Sequence, residues 1–186
     1  MHIQLGEVIN MNNGLKSGLV LLVLGIICGT LLAVVNSLTA LDIQKNEEAA
    51  QFAALEEFYN IDDYDLSVVE VNDDVDSIFV LRSKTDNSIE ALGYLVSGKG
   101  YSDVLLQMMI LIEKDFTVKG YSVVSHSEST GFGVDILEND FGVSIITDLS
   151  GFDSVAGVTR TSEGIQECFY IVSQRVTGDF GGDLDD

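Results

Sequence analysis

From Ser17 to Leu41 the chain carries no charged residue, and Gly18–Val35 (GLVLLVLGIICGTLLAVV) is almost wholly apolar. At about 1.5 Å rise per residue, roughly 20 such residues cross a hydrocarbon core about 30 Å thick. A buried core helix is rarely so long and uniform. A cleaved signal peptide has a shorter apolar region, about 7–15 residues, ending in small residues. Here Leu38-Thr39-Ala40 is a poor cleavage site because of Leu38. A lipoprotein reading fails at Ile27, which precedes Cys28 where a small residue is required. The run therefore predicts an uncleaved anchor, and it divides the chain. Residues 1–16 form a short cytoplasmic N-terminus, 17–41 a transmembrane helix, 42–180 an extracytoplasmic domain and 181–186 an acidic tail. Lys16 abuts the start of the span, whereas Asp42, Lys45, Glu47 and Glu48 follow it, so the positive-inside tendency puts the domain outside. Met1 and Met11 both remain candidate starts.

The charge balance narrows the partners. Lys and Arg total 9 against 30 Asp and Glu, a formal net charge of −21. A polyanion-binding surface needs clustered Lys and Arg, so nucleic acid is excluded as a partner, and tight docking on anionic headgroups is disfavoured. With 46% hydrophobic residues the chain folds in spite of its charge. Cys28 lies in the apolar run and Cys168 in a late helical pattern, which argues against a disulfide between them. His2 and His126 are far apart and no metal-type spacing exists.

After the span, Ile43–Tyr59 is rich in Ala, Glu and Gln and predicts a helix, with Ala49, Phe52, Ala53, Leu55 and Phe58 broadly on one side. Strand patterns follow at Leu66–Val71, Ser77–Arg82, Ile89–Val96, Val104–Ile112 and Phe116–Ser125, with Ser97–Gly100 breaking the alternation. A short helical stretch near Val134–Glu138, a further strand at Phe141–Thr147 and an amphipathic helix at Thr161–Val176 complete the pattern. The last presents Ile165, Cys168, Phe169 and Val172 on one face. Antiparallel strands with flanking helices make an α+β domain.

The segment Asp153–Ser162 (DSVAGVTRTS) is a Gly-containing turn running into that helix. Thr161 or Ser162 is placed to cap the helix, with Glu163 in its first turn. A turn of this kind is suited to cradling a phosphate. No His stands near Thr159 and Asp153 is six residues away, so its hydroxyl is not self-activated.

This stretch resembles the flavinylation motif of the FMN-binding domain family, found in the G subunit of the Rnf complex and the C subunit of the sodium-pumping NADH:quinone reductase. Asp153, Gly157, Thr159, Thr161 and Ser162 match, whereas Ser154, Ala156 and Val158 depart from it. Three more segments are collinear with Rnf G subunits: the anchor with Asn36-Ser37-Leu38-Thr39-Ala40, Gly100-Tyr101, and the loop Glu128-Ser129-Thr130-Gly131-Phe132-Gly133. The family usually has Pro after the anchor's Thr-Ala, where this chain has Leu41, and another in the Glu-Thr-Pro-Gly loop.

The resemblance implies a single-pass membrane flavoprotein with an antiparallel-sheet FMN-binding domain. FMN would be held covalently as a phosphothreonyl ester on Thr159, installed by a separate FMN transferase. Asp153, Gly157 and Val158 would shape the turn, Thr161 and Ser162 would complete the motif, and Glu128, Ser129, Thr130 and Gly131 would approach the flavin. The implied role is electron relay beside other membrane subunits of an Rnf-type ion-translocating ferredoxin:NAD oxidoreductase, with no turnover by the isolated chain. A stand-alone flavinylated electron carrier and a non-flavinylated anchored interaction module are the alternatives. The coupling ion and redox potential are not written in the sequence.

Overall fold

The computed structural model describes residues 13–71, 74–100, 105–126, 140–155 and 157–183. Two compact units result, Met1–Asn46 and Glu47–Asp186.

The first unit is dominated by helix α1, which begins at Asn13 and continues to Glu56. Leu19, Val20, Leu21, Leu22, Val23 and Leu24 are all exposed in succession, so the helix is apolar all round. It is long and apolar enough to cross a membrane. Its few hydroxyls turn back on the backbone: Thr30 donates to the Ile26 carbonyl at 2.7 Å, Ser37 to Val34 at 2.9 Å and Thr39 to Val35 at 2.9 Å. Each thereby satisfies a polar group that hydrocarbon could not. The sequence pattern separates the span from a second helix at Ile43–Tyr59, but α1 runs through the junction. Leu41 stands where the related pattern has proline, so neither a lost N–H nor a ring clash interrupts the helix there.

The second unit is built on a five-stranded antiparallel meander in the order β1-β2-β3-β4-β5. The strands are β1 (Tyr64–Glu70), β2 (Val75–Ser83), β3 (Ile89–Lys99), β4 (Leu105–Glu113) and β5 (Val118–Ser125). The α+β class and the antiparallel sheet expected from the sequence are both present. Alternation sorts side chains onto two buried faces. On one, Ile78, Val80, Leu92, Tyr94, Met108 and Ile110 pack with Ile165, Cys168, Phe169, Val172 and Val176 of helix α2 (Thr159–Gly178). On the other, Phe79, Leu81, Ala91, Leu95, Met109 and Leu111 pack under Ala54 and Leu55 from the last turns of α1. The sheet is therefore covered on both sides, and α2 is held by its apolar stripe.

Three local expectations are corrected. Phe141–Thr147 forms no regular strand; Ile145 makes only isolated bridges to Thr117 and Asp148. Gly142 adopts φ +71°, which turns the chain out of the extended region. Phe141, Val143 and Ile146 still point into the core while Ile145 is exposed, so the apolar pattern reflected burial and not pairing. β5 starts at Val118, two residues late, because Phe116 sits at φ 68° in the preceding turn, where the Asp115 carboxylate accepts the Thr117 N–H at 3.0 Å. Ser97–Gly100 does not break β3, which continues to Lys99 because Gly98 lets it pass directly beneath α2. The short helix expected near Val134–Glu138 lies outside the described residues.

Candidate functional site

The motif segment is positioned by its neighbours before α2 begins. The Asp153 N–H donates to the Phe141 carbonyl at 3.0 Å. Just before it, the Phe152 ring stacks on Phe141 at 5.5 Å and 4° and meets Phe169 of α2 edge-on at 6.1 Å. Tyr121 of β5 completes the aromatic group, 5.2 Å from Phe169, and its hydroxyl accepts the Phe141 N–H at 2.8 Å. Burial pushes the Tyr121 phenol above its ordinary pKa, so it stays protonated and keeps this place in the network. The chain thus enters the turn from a rigid support.

Gly157 adopts φ +93° and a Cβ there would meet nothing within 4 Å. Space is open on that side, but the backbone conformation itself selects glycine. Val158 occupies the N-cap position at φ −128°, ψ 43° and makes no side-chain cap. Thr159 is then the first residue of α2 and is exposed, as are Asp153, Ser154, Gly157 and Arg160.

The expected capping by Thr161 or Ser162 is not what the structure shows. Helix α2 starts two residues earlier, so both residues lie inside its first turns, each 1% exposed. Val158 has no side-chain donor or acceptor, and Ser162 works from within the helix instead: its Oγ accepts the Val155 N–H at 3.2 Å. Ser162 N–H donates to the Val158 carbonyl at 3.0 Å. Glu163 consequently lies beyond the first turn, further from the positive end of the helix.

The other end of the contact is on β3. A Cβ built on Gly98 would stand 2.2 Å from the Gly164 carbonyl oxygen and 2.8 Å from the Cys168 sulfur. One built on Gly164 would stand 2.4 Å from the Lys99 carbonyl oxygen. Strand and helix backbones touch here. The sequence reading missed this contact, although an isolated glycine inside an alternating strand is a signal of close backbone approach. The aromatic group around Phe141, Phe152 and Phe169 was missed too, since its members are brought together only by the fold.

Glu128, Ser129, Thr130, Gly131, Ala156 and Tyr101 lie outside the described residues. Of the candidate residues, the structure describes Asp153, Gly157, Val158, Thr159, Thr161 and Ser162, on one turn and the start of one helix. Their chemistry suits a phosphate ester: Thr159, an exposed residue with a secondary hydroxyl, stands at the positive end of a helix dipole, and among the described residues nothing would crowd a Cβ on neighbouring Gly157. An open groove of about 790 Å³ runs between Phe58, β5 and Asp140–Ser144, but no described residue of the motif lines it.

Comparison with known families fits this arrangement. The RnfG N-terminal region matches residues 9–58, covering the apolar part of α1 and its continuation. The FMN-binding domain matches residues 100–170, covering β4, β5, the supporting aromatic segment, the turn and the first half of α2. No curated protein matches the chain. The RnfG region and the apolar helix together mark a membrane-anchored chain. Both regions, present in order along the sequence, support an RnfG-like FMN-binding protein.

Proposed function

We propose that Thr159 carries FMN covalently through the flavin's phosphate, and that the chain relays electrons between other subunits of an Rnf-type membrane complex. The observation that carries the reading is the exposed Thr159 at the start of α2, two residues after the positive-φ Gly157 and within the FMN-binding match. When bound, FMN supplies the one- and two-electron chemistry, and the protein supplies position and electrostatics.

Thr159 has no imidazole in its segment, since the two histidines are His2 and His126, so its hydroxyl needs an outside base. A separate FMN transferase provides it. Thr159 Oγ attacks the flavin-side phosphorus of FAD and a new O–P bond forms. The pyrophosphate P–O bond breaks and AMP leaves with the electron pair. The hydroxyl proton passes to the transferase base. Gly157 and Val158 hold the hydroxyl clear of the domain, Asp153 anchors the turn through its backbone, and Ser162 ties the turn to the helix. Glu128, Ser129, Thr130 and Gly131 are assigned to the flavin's side of the site by the family resemblance, and Thr161 supports the turn from inside the helix. The Lys16 flank of the span supports a cytoplasmic N-terminus and an extracytoplasmic sheet unit.

The test is in-gel fluorescence of denatured protein after co-expression with an FMN transferase, beside Thr159→Ala. A fluorescent band that disappears in the variant is expected. A band that persists in Thr159→Ala overturns the attachment point. No band from the unaltered chain favours the anchored, non-flavinylated module. Co-purification with the other membrane subunits tests the relay role against that of a stand-alone carrier.

A further inference from the structure

We infer that Gly98 and Gly164 are positioning residues for flavin attachment: their bare backbones let β3 and α2 touch, and that contact sets where Thr159 stands. The inference rests on the reading of Thr159 as the attachment site. Neither glycine belongs to the Asp153–Ser162 motif, and both are buried.

The atoms a methyl group would strike are mainly backbone. At Gly98 the obstacles are the Gly164 carbonyl oxygen at 2.2 Å and its carbon at 3.0 Å, besides the Cys168 sulfur at 2.8 Å. At Gly164 they are the Lys99 carbonyl oxygen at 2.4 Å, its carbon at 2.7 Å and the Gly100 nitrogen at 3.2 Å. A carbonyl cannot rotate aside as a side chain can, so a methyl at either position forces strand and helix apart. Further along α2, Val172 and Val176 stay packed on the sheet, and Asp179 stays bonded to Tyr94 of β3. The helix therefore gives way at its start. Thr159 lies five residues before Gly164, about 7.5 Å along the axis at 1.5 Å per residue. A displacement of about 1 Å at a reacting group can cost about 10²-fold in rate.

Gly93 supplies the control within the same strand. A Cβ there meets side-chain atoms only, Leu111 Cδ2 at 3.0 Å, Met109 Sδ at 3.3 Å and Phe79 Cβ at 3.3 Å, on the opposite face of the sheet. Two of those three are the far ends of flexible side chains and none belongs to α2, so α2 is left in place.

The experiment uses full-length chain made without transferase, then mixed with purified FMN transferase and FAD. The attachment rate is read by in-gel flavin fluorescence, and the urea midpoint is measured on the same flavin-free samples. Gly98→Ala and Gly164→Ala are expected to slow attachment about 10²-fold while still unfolding cooperatively. Gly93→Ala should stay within about 2-fold of the unaltered chain, whatever its midpoint. If Gly98→Ala fails to fold, Gly98→Ala/Cys168→Ala relieves the sulfur contact, keeps the carbonyl contact and carries the test. Unchanged rates in the Gly98 and Gly164 variants overturn the inference, as does a loss in Gly93→Ala that tracks its midpoint equally. If Thr159→Ala is still labelled, the attachment reading fails instead, so the two failures are told apart.

Discussion

Replacing Tyr94 with Phe isolates one buried bond in the lock that closes the far end of α2. The Tyr94 hydroxyl donates to Asp179 Oδ2 at 2.8 Å, and Arg175 grips the same carboxylate through Nε at 2.8 Å and Nη2 at 3.2 Å. Tyr94 is fully buried and Asp179 is 3% exposed, whereas the Arg175 side chain is 28% exposed. A hydrogen bond to a charged acceptor contributes about 1.5–3 kcal/mol. Tyr94→Phe leaves no cavity and leaves both arginine bonds, so its cost falls near the low end, about 1.5–2 kcal/mol. Asp179→Ala strands the buried phenol and leaves a guanidinium that water only partly reaches, for about 3 kcal/mol. Since the two changes remove the same bond, the double variant should cost less than their sum by about 1–2 kcal/mol. The assay is urea unfolding of the full chain in mild detergent, followed by near-ultraviolet circular dichroism. A Tyr94→Phe chain within about 0.3 kcal/mol of the original, or strict additivity in the double variant, would refute the lock.

Gly157→Ala should cost about 1–2 kcal/mol from left-handed backbone strain alone, because a methyl there meets nothing; an unchanged urea midpoint would contradict the φ of +93°. Leu55→Ala removes a fully buried side chain contributed by α1 to the second face of the sheet and should cost about 3 kcal/mol, measured by the same unfolding assay. Burial pushes the Cys168 thiol from 9.0 up to about 12. Between those values the unfolded chain binds fewer protons than the folded one, so stability holds below pH 9 and falls above it, by up to about 1.4 kcal/mol per pH unit. Tyr59, Tyr94 and Tyr121, also pushed up by burial, add to the fall from about pH 10, so Cys168→Ala should level the profile between pH 9 and 10 and lessen its slope above that.

Much of the fold was legible because burial leaves a period in the sequence. Ile78, Val80, Leu92 and Tyr94 alternate with outward or opposite-face neighbours, and Ile165, Cys168, Phe169 and Val172 recur at helical spacing. The same logic misled at Phe141–Thr147, where Phe141 and Val143 point inward, Ile145 is exposed and Ile146 is buried instead, without a strand partner, because apolar residues report burial and not hydrogen bonding. The helix start was misplaced because Thr161 and Ser162 have the composition of caps, yet Ser162 serves the Val155 N–H from inside the helix. At the site, Thr159 and Gly157 could be found from local pattern and resemblance. Gly98 inside an alternating strand signalled a close backbone approach, but not its partner, since Gly164 lies 66 positions away and the contact is made through backbone.

The most direct measurement is mass spectrometry of tryptic peptides from flavinylated protein. Trypsin cuts after Lys119, Arg160 and Arg175, which puts Thr159 at the end of one peptide, residues 120–160, and Thr161 at the head of the next, residues 161–175. The account predicts the FMN adduct on the first peptide, with fragment ions placing it on Thr159. An adduct on the second peptide, or on neither, would contradict it.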